Sequence, residues 1–160
     1  MGLTAFRPGH VDDSIAGLRY LQPDGWAQQE HGLVTPLTTV LTDGSDAIVA
    51  SGRWQELLAE PPSADELMAG AAWLASEYGE FYLPYPGDRV EVRMEQTTAA
   101  GRPAAFAGYQ LVSPNREPSY VRVLVVALGT DLVSFVLAVA PITARPLIDE
   151  ILASVRPLGI

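Results

Sequence analysis

The chain has 160 residues, of which 48% are hydrophobic and 18% charged, a balance that predicts a globular protein and excludes a disordered or fibrous one. Ten basic and 19 acidic residues give a net charge of −9, which excludes nucleic acid and anionic lipid surfaces as partners because their phosphates would be repelled. The absence of cysteine excludes disulfides, thiolate catalysis and cysteine-ligated metals.

We predict a single domain over 1–160, in which 1–14 form a flexible or loosely packed N-terminal segment. This segment contains no apolar run and therefore has no signal-peptide character, which as the chain stands predicts a cytoplasmic protein. Removal of a leader is the alternative, so the compartment stays open. The apolar stretch 121–142 is interrupted by charged, glycine and proline residues and predicts a hairpin, with no membrane span.

The first predicted elements are short strands joined by turns. Leu18–Gln22 has the pattern of a strand, and the turn residues 23–25 follow it. Leu37–Thr42 and 47–51 flank the turn-forming residues 43–46, so we predict a hairpin there.

The clearest helix is predicted over 63–78. Ser63 and Glu66 can form a capping box at its start, and Gly79 stands where a left-handed cap would end it. Apolar residues at helical spacing predict a buried stripe made of Leu67, Met68, Ala71, Ala72, Leu74, Ala75 and Tyr78. The preceding residues, 54–60, fit either a short helix or a strand extension.

Residues 89–95 alternate strictly between charged and apolar side chains, which is typical of a half-buried strand. The prediction turns three apolar residues toward the core, namely Val90, Val92 and Met94. The opposite face would carry a ladder in which Arg93 stands between Glu91 and Glu95. Such a ladder indicates surface salt bridges, whereas catalytic acids face each other across a cleft.

A second group of strands follows. A turn at 99–103 leads to a strand near 104–112, and a longer loop occupies 113–118. Two further strands, 120–128 and 132–140, form a hairpin. Nearly all residues of this hairpin are apolar, so both of its faces are predicted to be buried.

The last predicted element is a helix from Thr143 or Arg145 to Val155, with Pro146 tolerated in its first turn. Its apolar stripe comprises Leu147, Ile148, Ile151, Leu152 and Val155. This order of elements predicts an α+β fold, an antiparallel β-sheet flanked by helices, and argues against βαβ winding. Either helices cover both faces of the sheet, or a homodimer partner covers one of them.

Few residues could carry chemistry. His10 and His31 fall in predicted loops, and without cysteine or helical histidine spacing they indicate solvated side chains and no metal site. The sequence contains no nucleophile elbow, Walker loop or dinucleotide fingerprint, so we predict no catalytic residue, no cofactor and no enzyme. A hydrolase would require a deep pocket that converges on one of the two histidines.

The most unusual stretch is 78–89, which combines four aromatic rings, two prolines and two glycines. Amphipathic rings beside charged residues are typical of protein interfaces. The candidate partner-binding residues are therefore Phe81, Tyr82, Tyr85, Asp88 and Arg89, with the loop 113–118 as an extension. Alternatively, the rings only cover the end of the core. Packing roles are predicted for the three tryptophans, Trp26, Trp54 and Trp73.

Four stretches carry a resemblance to a known family: 18–26 with its Pro-x-Gly-Trp turn, 77–87 with the aromatic block, 128–130, and the closing Ser-x-Arg-Pro of 153–158. They resemble the alanine- and proline-rich secreted antigens of mycobacteria and relatives, the fibronectin-attachment family. The broader group is similar to Mog1/PsbP-like domains, which form an α/β/α sandwich. The resemblance implies this fold, a secreted or cell-surface location, attachment to fibronectin and no enzyme activity.

Two features of that family differ in this sequence. The proline- and alanine-rich arms that flank the family's domain are absent from these 160 residues. Its Arg-Trp-Phe-Val attachment motif aligns with 122–125, where only Arg122 and Val125 match. We therefore predict a non-enzymatic binding protein with a protein partner and leave fibronectin open as that partner. The alternative is a cytoplasmic adaptor or secretion chaperone, because relatives of the fold hold client segments and the strands here are strongly apolar.

Overall fold

The computed structural model describes residues 9–54, 62–129 and 132–158. The strands are β1 (Gly9–Asp13), β2 (Leu18–Gln22), β3 (Ala27–Gln28), β4 (Leu37–Thr42), β5 (Ile48–Arg53), β6 (Asp88–Ala99), β7 (Arg102–Val112), β8 (Ser119–Ala127), β9 (Val133–Pro141) and β10 (Arg156–Pro157). The helices are α1 (Ala64–Tyr82) and α2 (Arg145–Ala153), the latter preceded by a 3-10 turn at Ile142–Ala144. Of the ambiguous segment 54–60, all but Trp54 lies outside the described residues.

A seven-stranded sheet in the order β3-β4-β5-β9-β8-β7-β6 forms the centre of the fold, and each neighbouring pair is antiparallel. On one face α1 packs across β7 and β8. On the other face lie α2 and a three-stranded sheet in the order β1-β2-β10. The predicted α+β class is thereby confirmed, with α1 on one face of the large sheet and α2 beside the small sheet on the other.

Local sequence signals produce the elements expected of them. The Ser63 hydroxyl accepts a hydrogen bond from the Glu66 amide at 3.1 Å, and the Glu66 carboxylate accepts one from the Ser63 amide at 3.1 Å. This capping box starts α1, as predicted. β8 and β9 are buried along nearly their whole length, as their apolar sequences predicted.

Gly79 does not end α1, which continues for three more residues to Tyr82. A Cβ built at Gly79 would overlap the hydroxyl oxygen of Tyr109, on the β7 strand beneath. That hydroxyl donates a hydrogen bond to the Ala75 carbonyl at 3.3 Å. The glycine is therefore required by close packing between helix and sheet, and the prediction of a left-handed cap is wrong.

The prediction that the apolar side chains of 89–95 face the core is also wrong. Val90, Val92 and Met94 are 38%, 66% and 57% exposed. β6 is the last strand of the sheet, and α1 lies mainly over β7 and β8, so this helix leaves most of β6 exposed. A bulge between Val90 and Arg93, with Glu91 at a φ of 51°, further interrupts the alternation.

The described part of 1–14 is an ordered strand, which corrects the prediction of a loosely packed segment. β1 pairs with β2, and Asp13 at its end is buried. One Asp13 carboxylate oxygen accepts hydrogen bonds from the Ile15 and Ala16 amides at 3.2 and 3.0 Å. The other accepts from the hydroxyls of Thr38 and Ser51, each at 2.6 Å. Asp13 thus fastens the small sheet to the β4–β5 hairpin.

Within the described residues, neither helix has the length and apolarity needed to cross a bilayer.

Candidate functional site: a tyrosine-lined cleft

Two tyrosines of the aromatic block line a cleft of about 310 Å³ at one end of the large sheet. Tyr82 closes the last turn of α1, and Tyr85 follows in the connection to β6. We call this recess the tyrosine cleft and define it by its lining residues: Asp46, Ile48, Tyr82, Leu83, Tyr85, Arg116, Glu117, Ser119, Val139, Ala140 and Pro141. The aromatic block and the 113–118 loop, which was predicted as an extension of the partner-binding surface, therefore line the same recess.

The wall contributed by the 113–118 loop is held in place by several contacts. The guanidinium of Arg116 lies 3.7 Å from the centre of the Tyr85 ring, which is a cation–π stack. The Ile142 amide donates a hydrogen bond to the Pro118 carbonyl at 2.8 Å. Gly87 permits the loop to approach, since a Cβ there would lie 2.7 Å from the Val112 carbonyl oxygen. These contacts fix the position of the loop that forms this wall of the cleft.

The five predicted partner-binding residues occupy three places. Tyr82 and Tyr85 line the cleft. Phe81 stands next to it, 56% exposed, with its ring edge-on to Tyr82 at 4.9 Å. Asp88 is exposed where β6 begins, and Arg89 follows it. The structure therefore brings three rings together and sets the two charged residues apart from them.

Arg89 is engaged with the helix and not with the cleft. Its guanidinium donates hydrogen bonds to Ser76 at 3.1 Å and to Glu80 at 3.4 Å, and it lies 4.5 Å from the centre of the Tyr109 ring. Arg89 therefore fixes the start of β6 against α1. Its contact with Glu80 is an ion pair.

The cleft combines an apolar floor with an acidic rim. Ile48, Leu83 and Pro141 supply aliphatic surface, while Asp46 and Glu117 supply carboxylates. Burial raises the pKa of the Tyr82 phenol, so this hydroxyl stays neutral and able to donate a hydrogen bond at physiological pH. These groups suit a protein segment that inserts an apolar side chain and places a basic one beside it.

Sequence reasoning missed the part of the cleft that comes from the sheet. Asp46, Ile48 and Pro141 reach it only because β5 and β9 are paired, and no local pattern signals that pairing. A second recess, of about 680 Å³, was missed as well; it lies between α1 and the 35–38 segment. Trp73 lines it and is 50% exposed, so the predicted packing role holds only for part of its ring. Trp26 is buried and Trp54 half-buried, as predicted.

The residues that align with the family's attachment motif lie on the central strand β8. Val123, Leu124 and Val125 are fully buried, so none of them is available to a partner while the sheet is intact. Arg122 donates a hydrogen bond to Asp149 at 3.0 Å and lies 4.1 Å from the centre of the Phe106 ring. This arginine holds α2 against the sheet.

The predicted arginine–glutamate ladder within β6 does not form. Glu95 pairs with Arg122 at 3.7 Å, and Glu91 pairs with Arg145 at 4.0 Å. Both partners come from other elements, because α2 and β8 bring their arginines close to this face of β6. Across the ranges that the structure describes, Arg93 makes no ion pair.

The two histidines are exposed, and neither lines the two recesses above or a smaller one beside Arg122. Among the described residues no three histidine or acidic side chains are grouped closely enough to hold a metal ion. None of these three recesses is the histidine-lined pocket that the hydrolase alternative requires.

Comparison with known proteins connects this architecture to a family. The model of the fibronectin-attachment protein (FAP) domain matches residues 10–136. The alanine and proline-rich secreted protein Apa of Mycobacterium leprae is 27% identical over 117 residues, covering 64% of this chain and 40% of that protein. Apa of Mycobacterium tuberculosis is 24% identical over 115 residues, covering 63% of this chain and 35% of that protein. The matched region thus spans well under half the length of these relatives.

Two solved structures share the fold. The cyanobacterial PsbP protein CyanoP from Synechocystis superposes with a TM-score of 0.68 at 17% identity, covering 98% of this chain and 96% of that one. The Ran-binding protein Mog1p of Saccharomyces cerevisiae gives a TM-score of 0.61 at 9% identity, covering 96% of both chains. These likenesses confirm the predicted Mog1/PsbP-like sandwich and extend no further than the fold.

Proposed function

The chain belongs to the fibronectin-attachment protein domain family, and from that membership we propose that it is a non-enzymatic binding protein whose protein partner docks at the tyrosine cleft. The observation that carries this proposal is the convergence of Tyr82, Tyr85 and exposed Phe81 on a recess that already contains Arg116. Aromatic residues in preorganised pockets contribute most of the binding energy at protein interfaces.

The family name makes fibronectin the first partner to test. The aligned attachment-motif positions are buried in β8, so attachment by this chain requires another surface. The tyrosine cleft is exposed at the end of the sheet. It supplies aromatic rings, whereas the positions aligned with the motif's tryptophan and phenylalanine are aliphatic here. Because the Apa relatives are named secreted proteins, we also propose that this chain, acting as one domain, works outside the cell.

The cleft proposal gives a direct expectation. Phe81→Ala and Tyr85→Ala are each expected to weaken binding to immobilised fibronectin by at least about tenfold, because each removes an aromatic anchor. Surface plasmon resonance with the folded variants measures this. Trp73→Ala is the matched control, since it removes an equally exposed ring from the other recess along α1.

Undiminished binding by both cleft variants would show that the partner docks elsewhere. Absence of binding by the unmodified chain would exclude fibronectin. The three variants would then be compared against a protein retained from culture filtrate of the source cell. Circular dichroism and urea unfolding confirm that each variant is folded.

The adaptor or secretion-chaperone alternative was drawn from the strongly apolar strands. In the structure these strands, β8 and β9, are covered by α1 on one face and by α2 with the small sheet on the other. They therefore offer no apolar surface to a client segment, and the observation that favoured this alternative is explained by the core.

A further inference from the structure

β6 offers a long free edge. It ends the seven-stranded sheet, pairs only with β7, and is 12 residues long, whereas the strand at the opposite end, β3, has two residues. The backbone groups on the outer side of such a strand are a template for pairing with another strand. Natural proteins cover or interrupt long edges, and in the described part of the chain the bulge before Arg93 interrupts this one.

After the bulge, successive side chains of β6 point alternately to the α1 side and the α2 side of the sheet. Met94 lies opposite Ala107, which belongs to the core under α1, so Met94 points to the α1 side of the sheet. Glu95 lies opposite Phe106, which packs with the core on the α2 side. Arg93 shares the face of Glu95, because residues two apart on a regular strand point the same way.

The charged residues on either side of Met94 can form ion pairs with the same residues of a second copy of the chain. If Met94 of one copy stands opposite Met94 of another in an antiparallel pair, Arg93 of each copy faces Glu95 of the other. Two ion pairs result on the α2 side, and opposite charges at facing positions stabilise a sheet. Glu95 is 61% exposed despite its contact with Arg122, so it can reach a second arginine.

The other face of the same register is apolar. The two Met94 side chains meet at the two-fold axis, and Val92 of each copy lies diagonally next to the opposing methionine. Both residues are more than half exposed in the single chain, and pairing would remove their apolar surface from water. One edge therefore combines an apolar contact with a charge pattern that only an identical strand matches at both ends.

We propose that the chain forms a two-fold symmetric dimer through β6, with Met94 at the axis, so that two seven-stranded sheets become continuous. The bulge between Val90 and Arg93 ends the regular part of the strand, and within that part the charges of Arg93 and Glu95 favour this register. Each chain has a single long edge among its described strands, and such an isologous contact closes at two copies.

Charge reversal tests the register. Sedimentation velocity over a concentration series should show a monomer–dimer equilibrium for the unmodified chain. Arg93→Glu and Glu95→Arg should each raise the dissociation constant at least about tenfold, because each places like charges opposite one another at two positions. An equimolar mixture of these two variants, and separately the R93E/E95R double variant, should recover dimerisation, since opposite charges face each other again.

Two further variants complete the test. Met94→Lys, which brings two ammonium groups to the axis, should abolish the dimer. Arg53→Glu makes the same charge change as Arg93→Glu, but on exposed β5 surface, and should leave the dimer unchanged. Circular dichroism verifies folding throughout. A monomer at every concentration would overturn the proposal, as would a dimer that tolerates both R93E and M94K. A monomeric chain whose edge captures an unrelated strand would also overturn it.

Discussion

Replacement of Asp13 by alanine is expected to lower the free energy of unfolding by about 3–5 kcal/mol at neutral pH. The carboxylate accepts four hydrogen bonds, from two amides and from the Thr38 and Ser51 hydroxyls, and it is almost completely buried. Alanine would leave these donors without an acceptor inside the protein. Equilibrium unfolding in urea measures the loss.

The adjacent residue supplies the control. Asp12 is exposed and pairs with Arg19 at 2.6 Å on the surface, where solvent screens the ion pair, so Asp12→Ala is expected to cost much less than Asp13→Ala. Asp13→Asn keeps the shape and one carbonyl oxygen, and its loss should fall between the two. Equal effects of the Asp12 and Asp13 alanine variants would contradict the role given to the buried carboxylate.

The same carboxylate should make stability depend on pH. Burial by itself would raise the pKa of Asp13, but hydrogen bonds from Ala16, Ser51 and Thr38 outweigh it and hold the pKa below its ordinary value. The folded state therefore binds this proton less readily than the unfolded state. The stabilisation is complete above the unfolded pKa and is lost as pH falls through the folded pKa. The stability difference between the unmodified chain and D13N should shrink over that acidic range, whereas a constant difference would contradict the assignment.

Gly79→Ala is expected to destabilise the protein by about 2–3 kcal/mol through overpacking, although alanine is favoured over glycine in a helix by about 1 kcal/mol. A Cβ at this position overlaps the Tyr109 hydroxyl and approaches its Cζ at 2.9 Å. Either α1 must lift from β7 or the tyrosine must move and lose its bond to Ala75. Urea unfolding of the variant measures the net effect.

A double-mutant cycle identifies the cause. Tyr109→Phe removes the clashing oxygen and should by itself cost about 1 kcal/mol for the lost hydrogen bond. In that background Gly79→Ala should cost much less than it does alone, which gives a favourable coupling energy. Stabilisation by G79A alone would show that propensity, not the contact with Tyr109, decides this position.

Elements with local or strongly apolar signals could be predicted from the sequence. The Ser63 capping box, the turn residues at 43–46 and the two-sided burial of β8 and β9 each depend on neighbouring residues or on composition, and the structure contains all three. The aromatic block was also recognisable, because its rings are adjacent in the chain. Its two tyrosines proved to share one cleft for the same reason.

The predictions that failed depended on distant residues. Gly79 is required by Tyr109, 30 positions further on, and Asp13 is buried by hydroxyls 25 and 38 positions away. The alternation in β6 was real, but its orientation depended on where α1 crosses the sheet. The sheet-derived wall of the cleft depended on the pairing of β5 with β9. None of these contacts between distant residues produces a periodic pattern in the sequence, so a single sequence cannot predict them.

The position of β8 and β9 between two covering layers also determines how the molecule opens. Solvent can reach the amides of the outermost strands through small local fluctuations, whereas those of the central pair become accessible only when the whole body unfolds. In deuterated water we expect β3 to exchange first and β8 with β9 to exchange last, at a rate set by global stability. Residue-resolved mass spectrometry or NMR would rank the strands, and early exchange in β8 would contradict this order.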